Sequence, residues 1–307
     1  MIDMYLPATV IGTLNVDINL YVDRISSPGG ESKVLKIKRT LGGKGGNIVT
    51  AFAKLAGGGR FIGAIGNDYA GKLHLDEFKK LNIDSSGVKI VDGIESGQSF
   101  VLVDPSGQNQ INSYYGANSA LDYDFLLSQR VPVGESKFVI AANVDPNLAS
   151  IAFKMTSGIK AYVPAAFAVR HPESVCKISG DYIFLNQDEM DGVGSCISKS
   201  FKNIIVTMGS EGAKIITNRR EFRVSRVDLE SFGLKVMNTA GAGDAFTGAF
   251  MAALYKGLDE PRALTLANYA AALKVTKDEA RGSPTVDELA KFLRRAGESA
   301  IMWGAVG

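Results

Sequence analysis

The chain has 307 residues, with 34 lysines and arginines against 32 aspartates and glutamates, so its formal net charge is only +2. That balance argues against a nucleic-acid partner, because such proteins usually carry a basic stripe. Hydrophobic residues make up 46% of the chain and charged residues 21%, a composition that is typical of a globular protein and excludes intrinsic disorder. No apolar run approaches the ~18 residues that a membrane span needs, so we expect no membrane partner.

The cysteine usage gives a second exclusion. Cys176 and Cys196 are the only cysteines, and they form no CxxC motif. With only two histidines, His74 and His171, no standard zinc-ligand spacing can be assembled. The N-terminus lacks the basic start and the cleavage site of a signal peptide. We therefore expect two reduced thiols in a cytoplasmic protein.

Short apolar runs bounded by turn residues predict strands that are buried on both faces, as in a parallel sheet. Helical patterns lie between them, and in the clearest one Phe246, Ala249 and Phe250 share one face. This alternation predicts an α/β layered fold with a mostly parallel sheet. The predicted strands are residues 9–14, 61–65, 138–142, 159–163, 182–185 and 203–207.

Two segments, residues 14–41 and 97–115, break that alternation. Apolar and charged residues alternate over 34–38, and a polar stretch surrounds the predicted turn at 104–107. Such alternation is typical of strands with one face in solvent. We expect a small second sheet, which is either a lid over a site or a plain extension of the fold.

Two common nucleotide motifs are absent. Gly241-Ala242-Gly243 is followed by Phe246 where the third glycine of a dinucleotide fingerprint would stand, which argues against a dehydrogenase. The run 42–45 has a lysine but lacks the spacing and the following Ser or Thr of a P-loop.

A different glycine-rich segment is present at 238–244, NTAGAGD, directly before the helix that contains Phe246. Small residues let the backbone approach a ligand, and the free N–H groups of a first helical turn attract anions. The segment therefore predicts an anion site. Asp244 is then either an N-cap or a catalytic base.

Residues 238–250, NTAGAGDAFTGAF, resemble the C-terminal signature of the ribokinase family of carbohydrate kinases, whose usual form is Asp-Thr-x-Gly-Ala-Gly-Asp. The resemblance extends over nearly the whole chain and implies one ribokinase-like α/β/α domain, residues 1–307, with the two segments above as its β-sheet lid. Further short motifs follow that family in order and spacing at residues 12–17, 28–31, 42–47, 116–118, 186–189 and 207–212.

The resemblance also implies a function, an ATP-dependent transfer of phosphate to a primary hydroxyl of a sugar. Asp244 would be the general base, and the amides of residues 240–243, with Gly241, Ala242 and Gly243, would be the anion hole. The implied sugar-binding residues are Asn15, Asp17, Gly43, Lys44 and Asn47. The implied nucleotide residues are Asn186 and Glu189 near the triphosphate and its Mg²⁺, Thr207, Gly209 and Gly212 along the nucleotide, and Asn268 beside the adenine.

Simpler structural roles compete with these assignments. Asn15 and Asn47 would then be turn residues, and Asn186 with Glu189 a helix start.

The chain departs from the family pattern at three places. Asn238 replaces the aspartate that opens the signature, and Glu279 stands where the family often has glycine. Both positions belong to the family's K⁺ site. Glu279 either restores the missing charge or points into solvent, and we expect reduced K⁺ dependence. Asn143 lies where ribokinases have a glutamate near the sugar, which weakens the case for ribose itself.

The polar and compact set Asn15, Asp17, Lys44 and Asn47 fits a furanose with a free primary hydroxyl, so we still predict a ribose-like substrate first. A nucleoside or a hexose such as fructose or 2-keto-3-deoxygluconate is the alternative. A non-catalytic sensor of sugar or nucleotide on the same fold is a rival from another class. Because the small sheet has an apolar face without helices of its own, we also expect a homodimer through the lid.

Overall fold

A computed structural model of the chain describes residues 7–106, 108–218 and 220–302. Both ends of the predicted domain 1–307 and residue 107 of the predicted turn lie outside the described residues. Within those ranges, no helix is long and apolar enough to cross a membrane.

Thirteen strands lie in the described residues and form two separate sheets. In chain order they are β1 (Ala8–Gly12), β2 (Asn15–Val22), β3 (Val34–Gly42), β4 (Gly59–Gly66), β5 (Ile83–Val91), β6 (Gly97–Val103), β7 (Asn109–Tyr114), β8 (Phe138–Ala142), β9 (Ile159–Val163), β10 (Gly180–Asn186), β11 (Phe201–Thr207), β12 (Ala213–Thr217) and β13 (Glu221–Val224).

The larger sheet has the strand order β13-β12-β11-β10-β9-β8-β1-β4-β5. Neighbouring strands from β11 to β5 run parallel, and only β12 and β13 are antiparallel at one edge. The continuous apolar runs of β1 and β8 are buried along their whole length. The predicted mostly parallel sheet is therefore confirmed, and the six predicted strands are β1, β4, β8, β9, β10 and β11.

The smaller sheet has the order β3-β2-β6-β7 and is built from the two segments that broke the alternation. Its strands are antiparallel except for the β2–β6 pair. Every residue of β7 is exposed, as are the apolar side chains of Leu35 on β3 and Ile111 on β7. The prediction of a separate small sheet is confirmed.

Helices cover both faces of the larger sheet. Adjacent residues of β1 point to opposite faces, so Val10 belongs to one apolar core and Ile11 to another. The first core contains Phe250 of the predicted amphipathic helix, and the second contains Phe153. The helices are α1 (Lys44–Ala56), α2 (Tyr69–Lys80), α3 (Tyr123–Ser128), α4 (Arg130–Gly134), α5 (Pro146–Lys154), α6 (Ala166–Arg170), α7 (Pro172–Val175), α8 (Gln187–Val193), α9 (Ala242–Tyr255), α10 (Glu260–Val275) and α11 (Val286–Arg295).

One sequence-based expectation is wrong. Cys176 and Cys196 are joined in a disulfide, with their Cα atoms 5.7 Å apart, rather than being two reduced thiols. The folded chain brings the residue after α7 next to the turn that follows α8. A separation of 20 residues along the chain carried no sign of that contact.

Candidate active site

The start of α1 lies against the connection between the two sheets. Gly43 has a φ of +84°, and a Cβ atom there would lie 2.6 Å from the carbonyl oxygen of Thr13 and 2.7 Å from the amide nitrogen of Asn15. A side chain would not fit, and the left-handed backbone favours glycine. The first turn of α1, with Lys44 and Asn47, therefore lies beside the first residue of β2.

Asp244 is held by that first turn of α1. The Asn47 amide donates a 2.8 Å hydrogen bond from Nδ2 to Asp244 Oδ2, and Lys44 Nζ lies 3.5 Å from Asp244 Oδ1. The Asp244 residue is 5% exposed. Attraction to Asp244 raises the pKa of Lys44 against the opposing effect of burial. The structure thus brings together three predicted site residues from opposite ends of the chain.

Two asparagines form a fixed polar wall where β2 and β6 begin. Asn118 donates from Nδ2 to Asn15 Oδ1 at 2.9 Å, while its Oδ1 accepts the Leu14 amide at 2.9 Å. Asn15 in turn donates from Nδ2 to the Ser99 hydroxyl at 3.1 Å. Asn118 belongs to a motif that matched the family, but the sequence assigned no role to it.

Asp17 lies two residues after Asn15 on β2 and therefore on the same face of the strand, where it extends the same wall. Burial raises the pKa of Asp17 above its usual range, although the Ser99 hydroxyl and the Arg281 charge both act in the opposite direction. The wall therefore carries a carboxylate that prefers its neutral form more than an exposed aspartate does.

Arg281 is the main residue that the sequence did not reveal. It is 5% exposed, and its guanidinium donates to the Gly42 carbonyl at 2.5 Å and to Asn47 Oδ1 at 3.3 Å. It also forms an ion pair with Glu77 and contacts Nδ1 of buried His74 at 3.0 Å. Burial and the Arg281 charge together hold the pKa of His74 well below its usual range. Arg281 thereby ties the end of β3 to the residue that holds Asp244.

The predicted anion segment starts α9 without a side-chain cap. Gly241 is the N-cap residue with a φ of +78°, and a side chain there would collide with the backbone of Ala280. Two of the four amides expected in the anion hole are already used, because Ala240 donates to Asn238 Oδ1 and Ala242 to the Thr239 carbonyl. Among the described residues, the Gly241 and Gly243 amides have no acceptor and remain open to a ligand.

Asn238 joins three parts of the structure behind that segment. Its Oδ1 accepts the Ala240 amide at 2.9 Å, and its Nδ2 donates to the Asp278 carbonyl at 2.7 Å. Its own carbonyl oxygen accepts a 2.8 Å hydrogen bond from Lys274 Nζ. Both polar atoms of the side chain that replaces the family's aspartate thus make hydrogen bonds within the protein.

The charges around Asn238 come from α10 and the loop that follows it. Lys274 is completely buried, and burial lowers its pKa to about 8 against the attraction of Asp244, Asp278 and Glu279. The side chain of Glu279 is exposed. Glu279 is thus open to solvent, and its charge still acts on Lys274.

A groove of about 880 Å³ runs from the start of α9 along α10. Two predicted nucleotide residues, Gly209 and Asn268, line it, and Asn268 is fixed by donating to the Ser225 carbonyl at 2.8 Å. Thr207 ends β11, and Gly212 follows the turn after that strand. The groove wall is largely apolar and suits a flat ring; the sequence did not reveal its members Leu229, Val236, Ala271, Ala272 and Val275.

Asn186 and Glu189 close the start of α8 by bonding to each other's backbone. The Glu189 amide donates to Asn186 Oδ1 at 2.8 Å, and the Asn186 amide donates to Glu189 Oε2 at 3.0 Å. The helix-start role considered for this pair is therefore present. The Glu189 charge also helps to raise the pKa of Lys44, so the α8 start is electrostatically coupled to the residue that pairs with Asp244. Across the ranges described, no three or more His, Cys, Asp or Glu side chains are grouped as a metal site.

Comparison with known proteins shows the family to which the chain belongs. The model of the pfkB family of carbohydrate kinases matches residues 8–286. The chain belongs to the pfkB family of carbohydrate kinases. The resemblance found in the sequence is confirmed, and the protein is a phosphotransferase that acts on a hydroxyl acceptor.

Individual pfkB relatives match over almost their full length. A ribokinase from Staphylococcus aureus is 28% identical over 91% of this chain and 97% of its own length. An ATP-dependent ribose-1-phosphate kinase from Halopiger xanaduensis is 27% identical over 92% of this chain and 96% of its own. The crystal structure of a Thermotoga maritima ribokinase superposes with a TM-score of 0.84 at 28% identity, covering 94% of this chain and all of that one.

Asn143 occupies the position where the sequence lacks the family's glutamate. It follows β8 at the carboxyl edge of the sheet with a φ of +54°, an uncommon conformation for a residue other than glycine. Its side-chain Oδ1 is buried and has no hydrogen-bond partner among the described residues. A buried unsatisfied acceptor is costly, so this oxygen is suited to a donor from a ligand.

Proposed function

We propose that this pfkB-family chain is an ATP-dependent sugar kinase that transfers the γ-phosphate to a primary hydroxyl of a small sugar, with Asp244 as general base. The observation that carries the proposal is the environment of Asp244, which is 5% exposed and held by Asn47 at 2.8 Å. A buried carboxylate beside the open start of a helix is placed to accept a proton from a hydroxyl that attacks phosphorus there.

The start of α9 supplies stabilisation for the charge that develops during transfer. Within the part of the chain that the structure describes, the Gly241 and Gly243 amides are unsatisfied, and the positive end of the α9 dipole lies at the same point. Preorganised donors of this kind stabilise a transition state without having to reorganise. Lys44, 3.5 Å from Asp244, adds a positive charge beside the proposed base.

Mg²⁺ is part of this proposal because phosphoryl transfer from ATP uses it to neutralise phosphate charge. Glu189 is the residue that would hold it, together with the phosphates and water. The fit rests on the carboxylate: Oε2 is used in the helix cap, whereas Oε1 makes no hydrogen bond within the described residues. ATP itself would lie in the groove with its base beside Asn268 and between the apolar walls.

A ribose-like sugar is the first choice of acceptor. The wall formed by Asn15, Asp17 and Asn118 is compact and offers both donors and acceptors, as a furanose with several hydroxyls needs. A nucleoside or a hexose such as fructose or 2-keto-3-deoxygluconate is the alternative. The Halopiger relative, whose name specifies ribose 1-phosphate, adds a phosphorylated pentose to the candidates.

A coupled ADP-release assay over pentoses, hexoses, nucleosides and ribose 1-phosphate tests this function. We expect one acceptor to be preferred in kcat/KM, with ribose-like sugars ahead of nucleosides. A sensor on the same fold would instead bind ATP and sugar, measured by calorimetry, and release no ADP above the background of ATP alone. That result would refute the kinase proposal.

We also propose that the protein is cytoplasmic and that it forms a homodimer through the small sheet. Leu35 and Ile111 are 60% and 62% exposed on that sheet, and Val34 and Ile37 are 44% and 49% exposed beside Leu35. Apolar side chains grouped on one sheet favour burial against a second copy. Light scattering at micromolar concentration should therefore give the mass of two chains.

A further inference from the structure

Lys274 is a buried cation that the reaction proposed above does not use. Its side chain is completely buried near the end of α10. Burying an ammonium group destabilises the fold unless other groups compensate for the lost water. No carboxylate of the described residues lies within 4.0 Å of Nζ, and its hydrogen bond goes to the Asn238 carbonyl at 2.8 Å. We therefore expect the positive charge of Lys274 to contribute to the function of the site.

The surroundings of the ammonium group link it to the anion segment. The amides of Met237 and Asn238 both donate to the Val275 carbonyl, at 2.8 and 3.1 Å, so the end of α10 holds the residues just before the segment. Asn238 then orients the Ala240 amide through Oδ1. Lys274 thus lies directly behind the turn whose glycine amides face the phosphoryl site.

Two carbonyl oxygens from separate loops converge here, and both accept hydrogen bonds from donors of the protein. The Asn238 carbonyl accepts from Lys274 Nζ, and the Asp278 carbonyl accepts from Asn238 Nδ2 at 2.7 Å. Converging carbonyl oxygens are the ligands that hard cations prefer. An ionised carboxylate at position 238 could not donate to the Asp278 carbonyl, whereas the asparagine amide does. Asn238 and Lys274 together therefore satisfy both carbonyl oxygens with donors of the protein.

We propose that the Lys274 ammonium group is a resident cation, which holds the 238–241 segment in place and supplies positive charge behind the phosphoryl site without a dissociable monovalent ion. It is a positioning residue that acts through the Asn238 carbonyl and through its field. The charged groups that face it are Asp244 on α9, Asp278 and Glu279 in the following loop, and Lys38 on β3, which is itself paired with Asp278. The proposal rests on the kinase function above for its kinetic readout.

The test compares wild type with Lys274→Ala and Lys274→Met in tetramethylammonium buffer, with K⁺ or NH4⁺ added at constant ionic strength. Wild-type kcat should change less than about two-fold on addition. Lys274→Ala leaves a space where the ammonium group was, so its kcat should fall at least ten-fold and recover with K⁺ or NH4⁺. Methionine fills that space, so Lys274→Met should lose activity and not recover. Lys256→Ala, an exposed lysine at the end of α9, is the matched control and should behave as wild type.

Several outcomes would overturn the inference. These are a ten-fold activation of the wild type by K⁺, full activity of Lys274→Ala without K⁺, and a folded Lys274→Ala whose lost activity no small cation restores. Thermal melts establish folding, and Lys274→Met together with the wild-type titration decides if the alanine variant does not fold. If no sugar releases ADP, the kinase proposal fails by itself. Calorimetric ATP binding then tests Lys274, because Lys274→Ala should bind ATP several-fold more weakly unless K⁺ is present.

Discussion

The starts of α8 and α9 look alike in the sequence and differ in the structure. Each has acidic residues in its first turn, so each could be a simple helix cap. At α8 the pair Asn186 and Glu189 satisfies the backbone amides reciprocally. At α9 the N-cap is Gly241, no side chain of the described residues caps the helix, and Asp244 instead accepts its hydrogen bond from Asn47 of α1.

The difference shows when an acidic residue at a helix start becomes available for chemistry. A capping side chain satisfies the amides that would otherwise bind an anion. Leaving out the cap costs about 1 kcal/mol, and at α9 the burial of apolar side chains such as Phe246 and Phe250 in the first core offsets this. Because Asn47 and Lys44 come from another helix, Asp244 is held without using the α9 amides. We call the α9 start open because no side chain of the described residues caps it, and the α8 start closed because Asn186 and Glu189 cap it.

The largest effect should come from removing the charge at the open start. Asp244→Asn keeps an oxygen that can accept the Asn47 hydrogen bond, so the fold and ATP binding should remain. A positioned base contributes roughly 10²–10⁴-fold, and kcat should fall by that factor. The matched control is Asp188→Asn in the first turn of α8, which makes the same chemical change at the closed start and should leave kcat within two-fold.

A rate for Asp244→Asn within a few-fold of wild type would contradict the comparison. Asp244 would then have only a structural role, as Asn186 and Glu189 have in the α8 cap. Circular dichroism and an ATP titration of the variant exclude the trivial cause, loss of the folded site.

A second carboxylate, Asp17, extends the comparison because it lies on a strand, not at a helix start, and burial raises its pKa. Its pKa is raised, so the proton leaves at a higher pH than in an ordinary aspartate. If the carboxylate accepts a sugar hydroxyl, kcat/KM should fall as the pH drops through that raised value. Asp17→Asn should remove this acid limb and lower kcat/KM by about 10- to 100-fold, the value of a hydrogen bond to a charged group.

The Asp17→Asn substitution, which should lower kcat/KM, should not lower the stability of the folded protein. A carboxylate whose pKa is raised by folding destabilises the folded state above that pKa, and the penalty declines as the pH falls from the raised pKa to the ordinary pKa of an unfolded aspartate. Asp17→Asn should therefore melt at a temperature equal to or higher than that of wild type at pH 7. A lower melting temperature would show that Asp17 supports the fold rather than the substrate site.

The parts of the molecule that the sequence predicted share a physical origin. Strands β1 and β8 were predicted because burial on both faces leaves an unbroken apolar run, and β3 because its apolar and charged residues alternate. The central residues Asn47 and Asp244 were found through motifs, since nothing in their local patterns connects them across 197 positions.

The residues that the sequence missed depend on distant partners. Arg281 reaches Glu77 across 204 positions and Asn47 across 234 positions, and an arginine in a polar loop gives no sign of burial. Lys274 was missed because it stands in a helix, α10, whose mixed polar and apolar residues give no sign that this lysine is buried. The disulfide was missed because two isolated cysteines give no information about their separation in space.

The smallest effect should come from the closed start. Asn186→Ala removes an N-cap and should cost about 1 kcal/mol of stability, which lowers the melting temperature of a domain of this size by about 2 °C. The Thr285→Ala control removes the equivalent residue of the other capping box, at the start of α11, and should lose a similar amount. If Asn186 and Glu189 also lie near the triphosphate, only the α8 variant should raise the KM for MgATP, by several-fold, with the sugar KM unchanged. Equal nucleotide KM values in both variants would reduce the α8 pair to a cap, and the open start of α9 would then carry the phosphoryl chemistry without it.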